Sequence, residues 1–397
     1  MLLNLHSYHS LRYGTLSLDE LLDGIETHGY DTAVLTDINN SSASLDFIRL
    51  GQKKGLNILA GMEFREGNTL EFVAIARNER GFKEINAYRT RLNAEKGKVT
   101  ERAPDFDEVF VIYPLHKLAT SPLRDHEYIG IRPSEYTKAL LLEPKLLQRC
   151  VILAPVSFHR EDYTFHRQLR AIDNNLLISQ LDPQQIARPD EIFIPKATLR
   201  KLFAGLPQVW ANTERLLSEC SFDFDFIATK NKATFTESRY GDKQLLTRYT
   251  MEGLDRRYAL KDTLARERVL RELDIIENLK FSSYFLMTDD ICRYARNRDF
   301  HYVGRGSGAN SAVAYCLGIT DVDPIALHLP FERFLNPKRN SSPDFDIDFS
   351  WNERDEIFSY IFKQYQIGHT ALMGAVSTFR SNSILRELGK VYGLPKS

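Results

Sequence analysis

The chain has 397 residues, of which 43% are hydrophobic and 26% are charged, a composition typical of globular proteins with two or more domains. Its formal net charge of −1 excludes a global attraction to polyanions, so binding of nucleic acid would need a local basic patch. The four cysteines are isolated, which excludes a zinc knuckle, and the sequence shows neither a signal peptide nor a membrane-spanning apolar run. We therefore expect a cytoplasmic protein with no membrane partner.

The N-terminal part alternates short apolar runs with helical patterns such as those of residues 18–25 and 44–54. This rhythm predicts β/α units on a parallel sheet or a barrel. The predicted strands are Met1–Leu5, Ala33–Thr36, Leu56–Ala60, Leu70–Ile75, Val109–Tyr113 and Ile152–Phe158.

A polar stretch at residues 229–242 predicts a boundary between two domains, residues 1–232 and residues 233–397. From residue 243 to residue 297 the pattern is helical, because apolar residues recur at steps of three and four. We predict a long amphipathic helix in this connector. Its apolar stripe contains Val269, Leu270, Leu273, Ile276 and Leu279.

Residues 342–349 alternate three aspartates, Asp344, Asp346 and Asp348, with three apolar residues. A period of two predicts a β-strand with one carboxylate face. Neighbouring carboxylates about 7 Å apart repel by about 2 kcal/mol at an effective dielectric near 20, so we expect a positive group on that face. The alternative is a solvated strand face. The same alternation at residues 221–226 has no glycine-rich loop before it, and there we predict only the polar face of a strand.

The segment Gly304–Gly308 alternates glycine with Arg305 and Ser307 and leads into a helix-forming run that ends at Gly318. We predict that Ser307 or a neighbour caps this helix, whose free amides would face the loop and bind phosphate. Arg305 would add a charge-assisted contact. A plain loop is the alternative, because the segment lacks the lysine and the spacing of a P-loop.

A basic segment, residues 331–339, joins the loop to the acids and contains Arg333 and Arg339. These cations would neutralise a triphosphate beside the aspartates, or else be solvated. Two-metal nucleotidyl transfer requires at least a phosphate-binding loop, nearby arginines and paired aspartates. In that chemistry aspartates hold two Mg²⁺ ions about 4 Å apart.

Four segments, in this order and spacing, resemble the palm of the bacterial DNA polymerase III alpha subunit, the C-family polymerase. The resemblance implies that Asp346 and Asp348 are the catalytic metal ligands, and that Asp344 is not one. It also implies that Arg305, Gly306 and Ser307 hold the triphosphate of the incoming nucleotide. The four segments are Gly304–Ser307, Leu317–Pro324, Phe331–Pro337 and Pro343–Phe349.

The N-terminal half resembles the PHP (polymerase and histidinol phosphatase) domain of the same family, a distorted α/β barrel with a metal-lined mouth. The motifs depart from the active pattern: Asn4 replaces the first histidine of His-x-His, Ile38 replaces the histidine of Thr-Asp-His, and Ser157 replaces an aspartate. Too few ligands remain for a multinuclear centre, and we expect at most one weakly bound metal. The vestigial set implied by the resemblance is His6, Asp37, Glu63 and His159.

The resemblance implies an α/β and α+β multidomain protein: a distorted PHP-type barrel, a helical connector and an incomplete nucleotidyltransferase-like palm. The full-length parent would be a DNA-directed DNA polymerase acting on primer-template and deoxynucleoside triphosphates with Mg²⁺. Sliding-clamp, replisome or translesion partners would bind C-terminal regions beyond residue 397. Residues 377–390 resemble the error-prone branch more than the main replicative one. The alternatives for the barrel are a metal-dependent phosphoesterase or proofreading 3′–5′ exonuclease, and a non-catalytic scaffold.

Because family members run far longer, we read the chain as an N-terminal fragment and predict that residues 1–397 alone extend no primer. A primer-extension assay on the purified fragment tests this, and measurable extension would contradict it.

Overall fold

The computed structural model describes residues 1–117, 122–227, 232–259, 262–336, 343–366, 368–380 and 382–394. Contacts group the chain into two compact units, Met1–Ile227 with Ser377–Ser397, and Ala228–Val376. The predicted domain limits, residues 1–232 and residues 233–397, stay a prediction.

A mixed sheet of seven strands forms the centre of the first unit, and each strand lies beside the next one in sequence. The sheet is parallel from β1 to β3 and from β5 to β7, and β4 runs antiparallel to both of its neighbours. A two-residue connection between β3 and β4 permits only the antiparallel arrangement, which corrects the expectation of a parallel sheet. The strands are β1 (Leu2–Leu5), β2 (Thr32–Leu35), β3 (Asn57–Glu66), β4 (Thr69–Ala76), β5 (Val109–Pro114), β6 (Glu127–Ile131) and β7 (Cys150–Ile152).

Helices α1 to α8 follow or connect these strands. The first begins with a capping box, in which Ser17 and Glu20 satisfy each other's backbone amides. The helices are α1 (Leu18–Thr27), α2 (Ser44–Lys53), α3 (Glu79–Glu95), α4 (Tyr136–Ala139), α5 (Pro144–Leu147), α6 (Tyr163–Asn174), α7 (Lys196–Leu202) and α8 (Pro207–Ser218).

After β7 the chain returns to the other edge of the sheet. The Val156 amide donates to the Asn4 carbonyl at 3.0 Å, and the His6 amide donates to the Val156 carbonyl at 2.8 Å. The sheet is therefore curled into a half-barrel, and the predicted strand Ile152–Phe158 is reduced to β7 and this bridge. The residues that follow β1, β2 and Val156 gather at one end, which we call the sheet mouth.

The second unit packs helices against a two-stranded sheet. The predicted single long helix was wrong: Asp262 caps a new helix, and Lys280 has a left-handed backbone (φ 64°) where that helix ends. The stripe is buried at Val269 and Ile276, but Leu270 is 48% exposed. The elements are α9 (Arg239–Arg257), α10 (Thr263–Asn278), α11 (Ser282–Asn297), β8 (Tyr302–Arg305), α12 (Ala312–Leu317), β9 (Asp346–Phe349) and α13 (Arg354–Tyr365).

The last described helix, α14 (Asn382–Val391), belongs to the first unit. It packs on α6, and the amide of Gln168 donates to the Tyr392 hydroxyl at 2.8 Å. Exposure alternates over residues 221–225, but residues 221–226 form no strand, which corrects that prediction. No helix among the described residues has the length and hydrophobicity needed to cross a bilayer.

Strand β8 lies directly against the segment that follows α12. A Cβ atom on Gly304 would fall 2.0 Å from the carbonyl oxygen of Ile319, and the Thr320 hydroxyl donates to the Gly304 carbonyl at 2.9 Å. Only glycine permits this approach, so position 304 fixes where β8 sits.

We expect Gly304→Ala to destabilise the second unit by about 1–3 kcal/mol, because the added methyl meets a backbone carbonyl that is held in place. Urea unfolding followed by circular dichroism measures the change. Gly374→Ala is the control in the same unit, since a Cβ there meets nothing within 4 Å. Equal stabilities of the two variants would contradict the packing argument.

Candidate functional site

The predicted carboxylate strand is formed at β9, which pairs antiparallel with β8. In this register Arg305 lies opposite Asp346, and Val303 lies opposite Asp348. Asp346 and Asp348 are exposed, whereas the apolar residues that alternate with them, Phe345 and Ile347, pack against the core of the second unit. The period of two is thus confirmed over Asp346–Phe349, and Asp344 precedes the strand.

The positive group on this face is the guanidinium of Arg305. Its Nε donates to Asp348 at 2.7 Å, and its Nη1 donates to Asp346 at 3.3 Å. All three side chains are about half exposed, at 57% for Arg305, 46% for Asp346 and 56% for Asp348. Water screens such a pair, so it contributes little to stability and can exchange for other partners.

Gly306 brings the loop backbone against the first aspartate. Its φ is +75°, a left-handed conformation that favours glycine, and a Cβ there would lie 2.7 Å from Oδ2 of Asp346. Ser307 follows within the same short turn, and its carbonyl accepts from the Asn310 amide at 2.8 Å. The structure therefore brings Arg305, Gly306 and Ser307 to the end of β9 that carries Asp346.

The helix after this loop is capped differently from the prediction. Ser311, beyond Ser307, accepts from the Ala314 amide and is the N-cap of α12. Glu272 accepts from the Val313 amide at 3.1 Å and from the Ser311 hydroxyl at 2.9 Å. A buried carboxylate therefore occupies this helix terminus, and the prediction that Ser307 or an adjacent residue caps the helix was wrong. Phosphate binding by the loop stays a prediction.

Sequence reasoning missed the residues that hold the loop in place. Arg268 donates to Glu272 at 2.6 Å and to the carbonyls of Asn310 and Leu329 at 3.2 and 3.0 Å. The available signal was an arginine and a glutamate spaced i, i+4 on a helix, with the glutamate on the apolar face. Glu272 is fully buried, so its pairing with Arg268 anchors the end of the loop.

The basic segment supplies apolar packing as well as charge. Phe331 and Phe334 are buried, and the ring of Phe334 lies 5.0 Å from that of Phe345, beneath β9. Arg333 is exposed in the turn Phe331–Arg333, and no ion pair among the described residues joins it to the acids. Arg339 lies outside the described residues. The nucleotide-binding roles of both arginines stay predictions.

The donors of this site suit a hard divalent cation, because carboxylate oxygens are the ligands Mg²⁺ prefers and water and substrate oxygens complete its shell. In the part of the chain that the structure describes, no group of three or more His, Cys, Asp or Glu side chains is arranged to hold a metal. Asp346 and Asp348 thus form a two-carboxylate set on one face of β9.

The four residues predicted for a vestigial metal site do not share one point of the sheet mouth. His6 Nε2 lies 3.1 Å from Glu63. Asp37 instead accepts from the Ser7 amide at 2.7 Å and from the Ser10 hydroxyl at 2.6 Å. His159 is only partly buried and precedes a short 3-10 turn.

His6 and Glu63 belong to a closed ring of hydrogen bonds, which we call the mouth ring. Arg65 Nε donates to Glu63, and Arg65 Nη2 donates to the Tyr13 hydroxyl at 3.0 Å. Tyr13 donates to Glu191 at 3.2 Å. Ser157 closes the ring, since its hydroxyl donates to Glu191 at 2.9 Å and lies 2.8 Å from His6 Nδ1. The members are His6, Tyr13, Glu63, Arg65, Ser157 and Glu191.

Both carboxylates of the mouth ring are stabilised in their charged form. Burial by itself would raise the pKa of Glu63, but Arg65 and His6 bring that pKa below its ordinary range. Burial also opposes ionisation of Glu191, whose pKa is nevertheless lowered by Arg132 and Arg65. Arg132 donates to Glu191 at 2.9 Å. The donors therefore do not fit a metal, because guanidinium groups already neutralise the carboxylates.

Two family models match the two halves of the chain. The PHP domain matches residues 3–113, and the bacterial DNA polymerase III alpha NTPase domain matches residues 235–397, which include Asp346 and Asp348. Residues 3–113 therefore form a PHP domain, and residues 235–397 match the NTPase domain of bacterial DNA polymerase III alpha. The resemblance read from the sequence motifs is thereby confirmed.

Curated relatives of the chain carry two kinds of name. The chain is 28% identical over 445 residues to the error-prone DNA polymerase of Symbiobacterium thermophilum, covering 100% of the chain and 41% of that protein. It is 27% identical over 429 residues to DNA polymerase III subunit alpha of Bacillus subtilis, covering 99% and 38%. The error-prone DNA polymerase of Mesorhizobium japonicum is 36% identical over 57% of the chain and 20% of its own length. The chain spans about two fifths of the first two relatives.

A buried histidine, His166, is hydrogen-bonded to Tyr13 of the mouth ring. The Ala187 amide donates to His166 Nε2 at 2.9 Å, so the ring proton is on Nδ1, which donates to the Tyr13 carbonyl at 2.7 Å. Burial lowers the pKa of His166 from its ordinary value of 6.5 to about 4. Protonation of Nε2 would cost the bond from Ala187, so the folded state holds His166 neutral.

We expect the first unit to lose stability as pH falls from 6.5 to about 4, because the unfolded state binds a proton there that the folded state excludes. The loss is on the order of 3 kcal/mol. Trp210 is buried in this unit, so its fluorescence reports unfolding once the exposed Trp351 is replaced by Phe. His166→Gln in that background should flatten the pH dependence, and an unchanged slope would show that His166 is not its source.

Proposed function

We propose that this chain is part of a template-directed DNA polymerase, and that β8, β9 and the loop after β8 form part of its nucleotidyl-transfer site. The substrates would be a DNA primer-template and deoxynucleoside triphosphates. The observation that carries the proposal is the register of β8 with β9, which joins two neighbouring aspartates to an arginine and a glycine turn. The match to the family model, together with relatives that are named DNA polymerases, supports the same reaction.

Asp346 and Asp348 are the residues proposed to hold divalent metal, with Mg²⁺ favoured by their oxygen donors. When bound, the metal would stabilise the developing charge on the attacking and leaving oxygens of an in-line displacement. The two side chains suit this task because they lie on one exposed face of β9, beside a turn whose backbone comes close to Asp346.

Arg305 has two successive roles in this proposal. In the structure it neutralises Asp346 and Asp348, which otherwise repel each other. With Asp346 and Asp348 holding a divalent ion, the Arg305 guanidinium would be free to bind the triphosphate in a bidentate manner. Because water screens this exposed pair, the exchange would cost little.

The contacts of the sheet mouth do not favour the alternative of a metal-dependent phosphoesterase or proofreading exonuclease. Both carboxylate oxygens of Asp37 accept hydrogen bonds from Ser7 or Ser10, and Glu63 is paired with Arg65. We propose a non-catalytic, structural role for this domain. Clamp, replisome and translesion partners stay predictions that rest on the family resemblance.

In the complete polymerase subunit, we expect Asp346→Asn or Asp348→Asn to reduce primer extension on the order of 10³-fold, because removal of a metal ligand strips charge stabilisation from the transition state. Steady-state extension of a labelled primer measures the rate, and gel-shift titration verifies that primer-template binding persists.

Asp223→Asn is the matched control, because it removes an acid from the other alternating aspartate and phenylalanine segment, which forms no strand. It should leave extension unchanged. Near-normal extension by either β9 variant would overturn the proposed site.

A further inference from the structure

The two carboxylates of the mouth ring are paired inside the protein. Glu63 pairs with Arg65 of the ring, and Glu191 pairs with Arg132, which is not a ring member. Both carboxylates are almost fully buried, and so is Arg65, at 9% exposure. Burial of such charges is costly unless each one is paired and hydrogen-bonded, and here each one is.

Arg65 is the member that joins the two acidic sides of the ring. It pairs with Glu63 through Nε and reaches Glu191 through the Tyr13 hydroxyl. Its guanidinium also lies 4.3 Å from the centre of the Tyr13 ring, a cation–π distance. Hydrogen bonds and the contact with the Tyr13 ring therefore both hold the Arg65 guanidinium in place. The guanidinium of Arg305 in the second unit is instead half exposed.

Beside Arg65, the ring contains side chains of the types that bind divalent metals, His6 and Glu63. His6 contacts Glu63 on one side and Ser157 on the other, and Asn4 adds a hydrogen bond to Glu63 at 2.7 Å. A cavity of about 390 Å³ opens beside the ring and is lined in part by Tyr13 and Arg65. Ions can therefore approach this end of the sheet, but a guanidinium already lies against the carboxylates.

We propose that the Arg65 guanidinium is a permanent internal cation, which takes the place of a divalent metal among the carboxylates of Glu63 and Glu191 and makes the fold of the first unit independent of metal. Arg65 is thus a positioning residue, which acts by holding the mouth ring closed. The inference concerns the first unit and is independent of the polymerase proposal.

The test uses the chain with Trp351→Phe, so that Trp210 fluorescence reports the first unit. The melting temperature of the parent chain should be the same in EDTA and in excess Mn²⁺. Arg65→Met keeps the apolar stem but leaves Glu63 buried without its cation, and it should lower the melting temperature in EDTA by about 10 °C. Mn²⁺ should restore part of this loss.

Arg65→Met combined with Glu63→Gln removes both charges, so it should melt higher in EDTA than Arg65→Met alone and show no response to Mn²⁺. Arg80→Met is the matched control, because Arg80 forms an exposed pair with Asp107 in the same unit, and it should change little. If Arg65→Met does not fold, recovery of a folded protein by the added Glu63→Gln supports the proposal.

Three results would overturn the proposal that Arg65 takes the place of a metal. The first is stabilisation of the parent chain by Mn²⁺, which would mean that the mouth still uses metal. The second is an Arg65→Met chain that melts like the parent. The third is a double variant no more stable, or no better folded, than Arg65→Met, which would locate the effect in packing and not in charge.

Discussion

Carboxylates held close together need a shared positive charge, and in both units of this chain an arginine provides it. In the sheet mouth, Arg65 is buried against Glu63, where the low dielectric makes the pairing strong and its loss costly. On β9, Arg305 spans Asp346 and Asp348 at the surface, where water weakens the pairing. The pairing of carboxylates with an arginine is therefore fixed in the sheet mouth and exchangeable on β9.

Much of the fold could be predicted because the signals are local. The alternation of Asp346–Phe349 requires only neighbouring residues, and so does the early succession of strands and helices. Predictions from local patterns also failed at two places in the chain. Residues 221–226 alternate in the same way but form no strand, since no partner strand pairs with them. A helical period over residues 243–297 could not reveal the breaks that Asp262 and Lys280 introduce.

The contacts that complete each site depend on distant parts of the chain. Glu191 reaches the mouth ring from a loop far from β1, and nothing in its neighbourhood indicates the pairing with Arg132. Likewise, Glu272 caps α12 from another helix, which sequence spacing could not show. The resemblance predicted a vestigial metal site at His6, Asp37, Glu63 and His159, but it did not predict the arginine that pairs with Glu63.

The chain leaves the first unit after Ile227 and rejoins it at Ser377, before α14. Because α14 packs on α6, the second unit is an insertion of about 150 residues whose two ends are both held by the first. An unfolded insertion of this kind is a closed loop, with fewer conformations than a free chain. A folded first unit therefore lowers the entropy gained when the second unfolds, so the stability of one unit supports the other through chain connectivity alone.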